Sequence, residues 1–183
     1  MSLLILATIL ALGVINIEAS DVASNQAICP DIQSDSVEGI EGRWFRVYSN
    51  MKYHNVKCAY GDIVNLGHDE FVSTVILDLV EGGSDNITST IKKEADGKYY
   101  DFWVDEEGVL HRDLTMMKLD GDFLLTWICI DLGNGRVGEH ASIHSKTHKL
   151  SNAVVVKYDN WLKERGSQGG HFYETRLDEC SAQ

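Results

Sequence analysis

"EGIEGRWFRVYSN", residues 38–50, decides how the rest of the chain is read. Trp44, Arg46 and Tyr48 alternate with Phe45 and Val47, and a period of two is that of a strand. Gly42 opens this strand, and its largest aromatic follows two residues later. If Trp44 faces inward, Arg46 and Tyr48 share its side. An arginine on an inner face needs an acid, water or a ligand anion beside it, because an isolated buried charge is very costly.

Downstream of this stretch the chain keeps a regular beat. Turn clusters begin at 67 ("GHD"), 81 ("EGGSD"), 95 ("ADG"), 106 ("EEG"), 120 ("DGD") and 133 ("GNG"), 11 to 14 residues apart. Between them lie segments rich in β-branched and aromatic residues, such as "FVSTVILDLV", "YYDFWV" and "FLLTWICI". With strands at 42–49 and 58–66, these make eight strands in sequence. Short Asp-Gly connections join antiparallel neighbours. Eight such strands leave two long edges unless the sheet closes, and a closed barrel of eight can hold one small ligand. The expected fold is therefore all-β: an eight-stranded up-and-down antiparallel barrel with one C-terminal α-helix packed outside. The helix is read at 151–166, with Ser151 as its cap, Val154, Tyr158, Trp161 and Leu162 on one face, and Gly166 as its stop. "GGHFYET", 169–175, offers a short final strand.

Upstream, residues 1–17 are almost unbroken apolar and Ala19-Ser20 gives a small-residue cleavage point, the pattern of a secretory signal. The run is short for a membrane span, and no integral membrane segment is expected. The organisation is read as a signal peptide at 1–19, an N-terminal arm at 20–41, and the barrel with helix and tail at 42–183. Without Glu18 the chain carries 16 basic and 27 acidic residues, a net charge of −11, which argues against nucleic acid as a partner. Cys29, Cys58, Cys129 and Cys180 are an even count in a secreted chain and read as two disulfides, with three pairings open. Asn86-Ile87-Thr88 is an N-glycosylation sequon.

"CPDI" at 29–32, "GRWF" at 42–45, "KCAY" at 57–60, "TWIC" at 126–129, a single late helix and a cysteine near the C-terminus follow in an order that resembles the lipocalins. Within that family the resemblance is to the apolipoprotein D and insect bilin-binding branch. It implies a barrel floor in which Gly42 lets the chain close, Trp44 plugs the end and Lys146 packs over the indole, a lysine where the family usually has arginine. It also implies the pairs Cys29–Cys129 and Cys58–Cys180. The family's Thr-Asp-Tyr turn before strand seven is absent, and "KLDGDF" stands near its place.

By the same register, Gly61 and Ile63 on strand two, Thr126 and Ile128 on strand seven, and His140, Ser142 and His144 on strand eight face inward with Arg46 and Tyr48. These nine residues are the expected ligand wall. If the ligand carries a carboxylate, Arg46 with His140 or His144 is its anchor, and a charged histidine would make binding weaken with rising pH. His140 and His144 are four residues apart, about 13 Å along a strand, too far to share one metal ion. No nucleophile elbow, His-Glu-x-x-His pair or phosphate loop is present, so neither a catalytic residue nor a cofactor or metal is expected. Three functions follow in order: a secreted carrier of a small hydrophobic ligand (lipid, retinoid or bilin), an interaction or inhibitor protein using its open-end loops toward a cell-surface receptor or protein partner, and, weakest, an enzyme.

Overall fold

In the computed structural model the strands run β1 (Gly42–Ser49), β2 (Val56–Gly67), β3 (Glu70–Leu79), β4 (Ser84–Lys93), β5 (Tyr99–Val104), β6 (Leu110–Asp120), β7 (Phe123–Gly133) and β8 (Arg136–Ser145). They are followed by α1 (Asn152–Lys163) and β9 (Tyr173–Glu174). The structure describes residues 28–35, 37–133, 135–149, 151–175 and 180. The signal sequence at 1–19 and the first part of the arm lie outside the described residues. Each strand pairs antiparallel with the next, and β1 pairs with both β2 and β8, so the eight-stranded sheet closes on itself. Strand two is two residues longer at its start than the alternation suggested, and the final strand shrinks to two residues on the free side of β1.

Two apolar layers follow from the period of two. Outside the wall, Val47, Met116, Leu125, Trp127, Ala141 and Ile143 pack under Tyr158 and Leu162 of the helix. Ser151 caps that helix, accepting from the Val154 N–H at 3.4 Å, and the Tyr158 hydroxyl donates to the Phe123 carbonyl at 3.2 Å. Glu139 is buried on this outer face and accepts from Trp127 Nε1 at 3.0 Å, from the Ser167 hydroxyl and from the Gln168 N–H.

Inside, Trp44, Ile63, Phe71, Ile91, Tyr99, Met117 and Leu124 fill the closed end. Gly42 has φ +104°, a conformation that a side chain resists, and it turns the chain from the arm into β1. The arm passes beneath: Ile40 is fully buried and its carbonyl accepts from Trp44 Nε1 at 2.7 Å. Lys146 Nζ stands 4.8 Å from the indole centroid. At Gly61 an added Cβ would lie 2.5 Å from the Thr74 carbonyl oxygen, so β2 and β3 approach closely only because this residue has no side chain. Cys29–Cys129 joins the arm to β7 and Cys58–Cys180 joins β2 to the C-terminal tail.

Candidate functional site

Cross-strand partners share a face of a sheet, so the pairing register sorts the wall. Leu124 belongs to the floor cluster, and hence Thr126 and Ile128 on the same strand also face in. Their partners on β8 are His144, Ser142 and His140 in turn, and His144 is opposite Arg46. Gly61 is opposite Trp44, and Ile63 is part of the floor itself. Eight of the nine residues expected from sequence thus line the interior.

Tyr48 does not. The register of β1 against β8 shifts between Arg46 and Tyr48, so that Tyr48 is opposite Ile143 and Ser49 is opposite Ser142. The extra residue is a bulge, and it moves every later side chain to the other face. Tyr48 therefore packs under the helix, with its hydroxyl 3.4 Å from Asn152 Oδ1, and Ser49 enters the barrel instead. Nothing in the alternating sequence marks this slip.

Arg46 is the centre of the polar wall. It is only 6% exposed, and its Nε and Nη2 atoms have no hydrogen-bond partner among the described residues. The Tyr53 ring lies over the guanidinium with its centroid 4.0 Å from Cζ. Tyr53 comes from the β1–β2 connection at the open end, a residue that sequence reasoning passed over because it stands outside any strand. Its hydroxyl is 3.3 Å from His140 Nε2, and the hydroxyls of Ser49 and Ser142 approach the same nitrogen at 3.2 and 3.0 Å. Thr126 Oγ1 is 3.0 Å from His144 Nε2. Burial, together with the Arg46 charge, pushes both histidines down to about 3. They are neutral at physiological pH, so the condition for a histidine-driven loss of binding with rising pH is not met. Burial also pushes the guanidinium itself downward, a tendency that Tyr53 partly offsets.

A second polar patch lies where no motif marks one. Asp101 on β5 is opposite Asp113 on β6, and both face inward with Tyr99, Ser89 and Trp103. Trp103 Nε1 donates to Asp113 at 2.8 Å, while Asp101 Oδ1 is buried without a partner among the described residues. Burial pushes the Asp101 carboxyl up to about 6, with the neighbouring Asp113 adding to it. β5 is four strands from β1 in either direction around the barrel, so these acids face the Arg46 wall from across the lumen.

Above the floor, part of the inner face meets solvent. Ile87 pairs with the inward Val75 yet is 47% exposed. A cavity of about 240 Å³ at the open end is lined by Arg46, Lys52, Tyr53, Val56, Val80 and Glu174, among others. A larger one, about 540 Å³, lies beneath the floor between the arm and the closed-end turns. Its walls include Asp35, Glu38, Glu41, Asn65 and Asp69, which do not suit an apolar guest.

No family model and no curated protein matches this sequence. Solved structures do match. A closed eight-stranded meander with a Gly-x-Trp floor and one helix on its outer wall is the lipocalin fold, and this chain has that fold. Insecticyanin from the tobacco hornworm Manduca sexta aligns with a TM-score of 0.63 at 17% identity, over 89% of this chain and 93% of that one. The amine-binding protein of Rhodnius prolixus, solved with tryptamine, gives 0.57 at 10% identity over 83% and 86%. Lobster apocrustacyanin A1 gives 0.55 at 16% identity over 74% and 76%. At these identities the likeness is one of fold.

Proposed function

We propose that the protein is a secreted carrier that holds a small hydrophobic ligand inside its barrel. The observation that carries this reading is the inner wall: apolar and sealed at the floor, polar in the middle, and open to solvent above, where Ile87 is exposed though it faces inward. Such a graded, concave surface suits a molecule with an apolar body. The apolar leader and the two disulfides support secretion, and Asn86 is exposed on β4, where a glycan would meet no obstacle. Solved proteins of this fold include the amine-binding protein of Rhodnius prolixus and a siderocalin, Ex-FABP, with dual ligand specificities.

Trp44 and Trp103 both face inward and would report on a guest. A titration of tryptophan emission with a fatty acid, a retinoid and biliverdin tests the reading, alongside native mass spectrometry of protein purified from its source. Saturable quenching by one of them, or a co-purified small molecule, is the expected result. Failure of all three, with an empty barrel in the mass spectrum, would favour a second reading. That reading, a protein partner held by the open-end loops, draws on the apolar rim of Val80, Val104, Val109, Leu110 and Leu132, all exposed.

A further inference from the structure

Arg46 sets a problem that the protein alone does not solve. Its side chain is nine-tenths buried, and two of its nitrogens are sealed from water with no acceptor among the described residues. The groups around it are neutral or aromatic: His140 and His144 from β8, and Tyr53 from the open-end connection. Among the described residues, the acids at inward positions are Asp101 and Asp113 on the opposite wall and the exposed Asp85 of β4, opposite Leu77, while Glu174 at the rim is exposed and is opposite Tyr48. A buried guanidinium with open donors is costly until an oxyanion takes them, and arginine matches a carboxylate in two-point fashion.

The same residue lines the cavity of about 240 Å³ at the open end. Tyr53 lines the same cavity, its ring lies on the guanidinium and its hydroxyl is near His140. The connection that carries it is anchored at its ends. The Asn50 side chain exchanges two hydrogen bonds with β8, donating to the Glu139 carbonyl at 3.1 Å and accepting from the Ala141 N–H at 2.8 Å. Asn55 accepts from the Val80 N–H at 2.9 Å.

From these contacts we infer that the ligand is an amphipathic monoanion whose head group displaces the Tyr53 ring and takes the open donors of Arg46. Its apolar body then lies against Ala59, Leu77 and Val75, the apolar wall on β2 and β3 beside Tyr53. The inference rests on the carrier reading and adds the charge of the guest and the place of its head. His140, freed from the Tyr53 hydroxyl, keeps Ser49 and Ser142 as partners.

Hexadecanoic acid and its methyl ester share a body and differ in charge, so the wild-type protein is enough for the main test. Tryptophan quenching should give the acid a Kd about 10- to 100-fold below that of the ester, as for a charge-assisted hydrogen bond gained in a buried site. Arg46→Met should bring the two affinities together while the ester still binds. Tyr53→Ala, which removes the ring, should raise the association rate of the acid; an unchanged rate would overturn the displacement. An ester that binds as tightly as the acid overturns the anion site and leaves the carrier reading standing. If neither molecule binds, the anion site falls, and the carrier reading stands or falls on the retinoid and biliverdin titrations and the native mass spectrum. Should Arg46→Met not fold, the acid and ester comparison on wild type still decides.

Discussion

Removing the indole of Trp44 would leave Ile40, Ile63, Met117 and Leu124 around an empty space at the closed end. The Ile40 carbonyl would also lose its donor. Trp44→Ala should therefore cost about 3–5 kcal/mol, read as a fall in the denaturant midpoint at unchanged slope. Lys146 is different. It stands over the same ring but is exposed to solvent, so Lys146→Met should cost no more than about 1 kcal/mol. An equal loss from both substitutions would show that the charge, not the ring, closes the floor. The sequence announced the ring through Gly42 and Trp44. It did not announce Ile40, because a lone isoleucine in an arm carries no period that assigns it to a core. Tyr53 escaped for the same reason, and Asp101 and Asp113 belong to no motif, so that only the register places them opposite one another inside the barrel.

Elements were more legible than their phase. The beat of the turns located six strands and the stretch from Gly42 added the first two, while the helix came out at Asn152–Lys163 with the expected cap, three residues short of Gly166, and with Tyr158 and Leu162 of its expected face buried. Three adjacent valines within it favour a strand locally, yet Tyr158 and Leu162 packed on the barrel outweigh that preference. Ser151→Ala should lower stability by about 1 kcal/mol, the usual loss of a side-chain cap, with the helical circular dichroism signal retained. A loss several times larger would mean that Ser151 does more than cap. The error in β1 was one of phase. Alternation from Trp44 through Tyr48 is unbroken in the sequence, and Val47, Tyr48 and Ser49 are all buried, so polarity gave no sign of the bulge. Only pairing with β8 on one side, and the space for a phenol under the helix, settle which face Tyr48 takes.

For the molecule as a whole, the interior polar groups set a dependence of stability on pH. His140 and His144 are pushed down from 6.5 to about 3, so between those values the unfolded chain binds two protons that the native barrel refuses. Stability is then lost as pH falls through that window. Asp101 works in the other sense, because between 3.8 and about 6 the native state takes the proton first and is favoured by acid. With two groups against one, the denaturant midpoint should fall between pH 6.5 and 4, and His144→Asn should flatten the fall. A midpoint that rises on acidification would contradict the neutral state of both histidines. The arrangement of these charges has a further consequence. Arg46 on β1 and the Asp101–Asp113 pair across the lumen place a positive pole on one wall and a negative pole on the other. Any guest between them sits in a transverse electric field, and a conjugated guest would have its absorption band shifted by it. When Asp101 takes up its proton near pH 6 the field weakens, so the band of a bound retinoid should move between pH 7.5 and 5. Asp101→Asn should hold the band still across that range. A band that moves equally in the variant would place the origin of the colour change elsewhere.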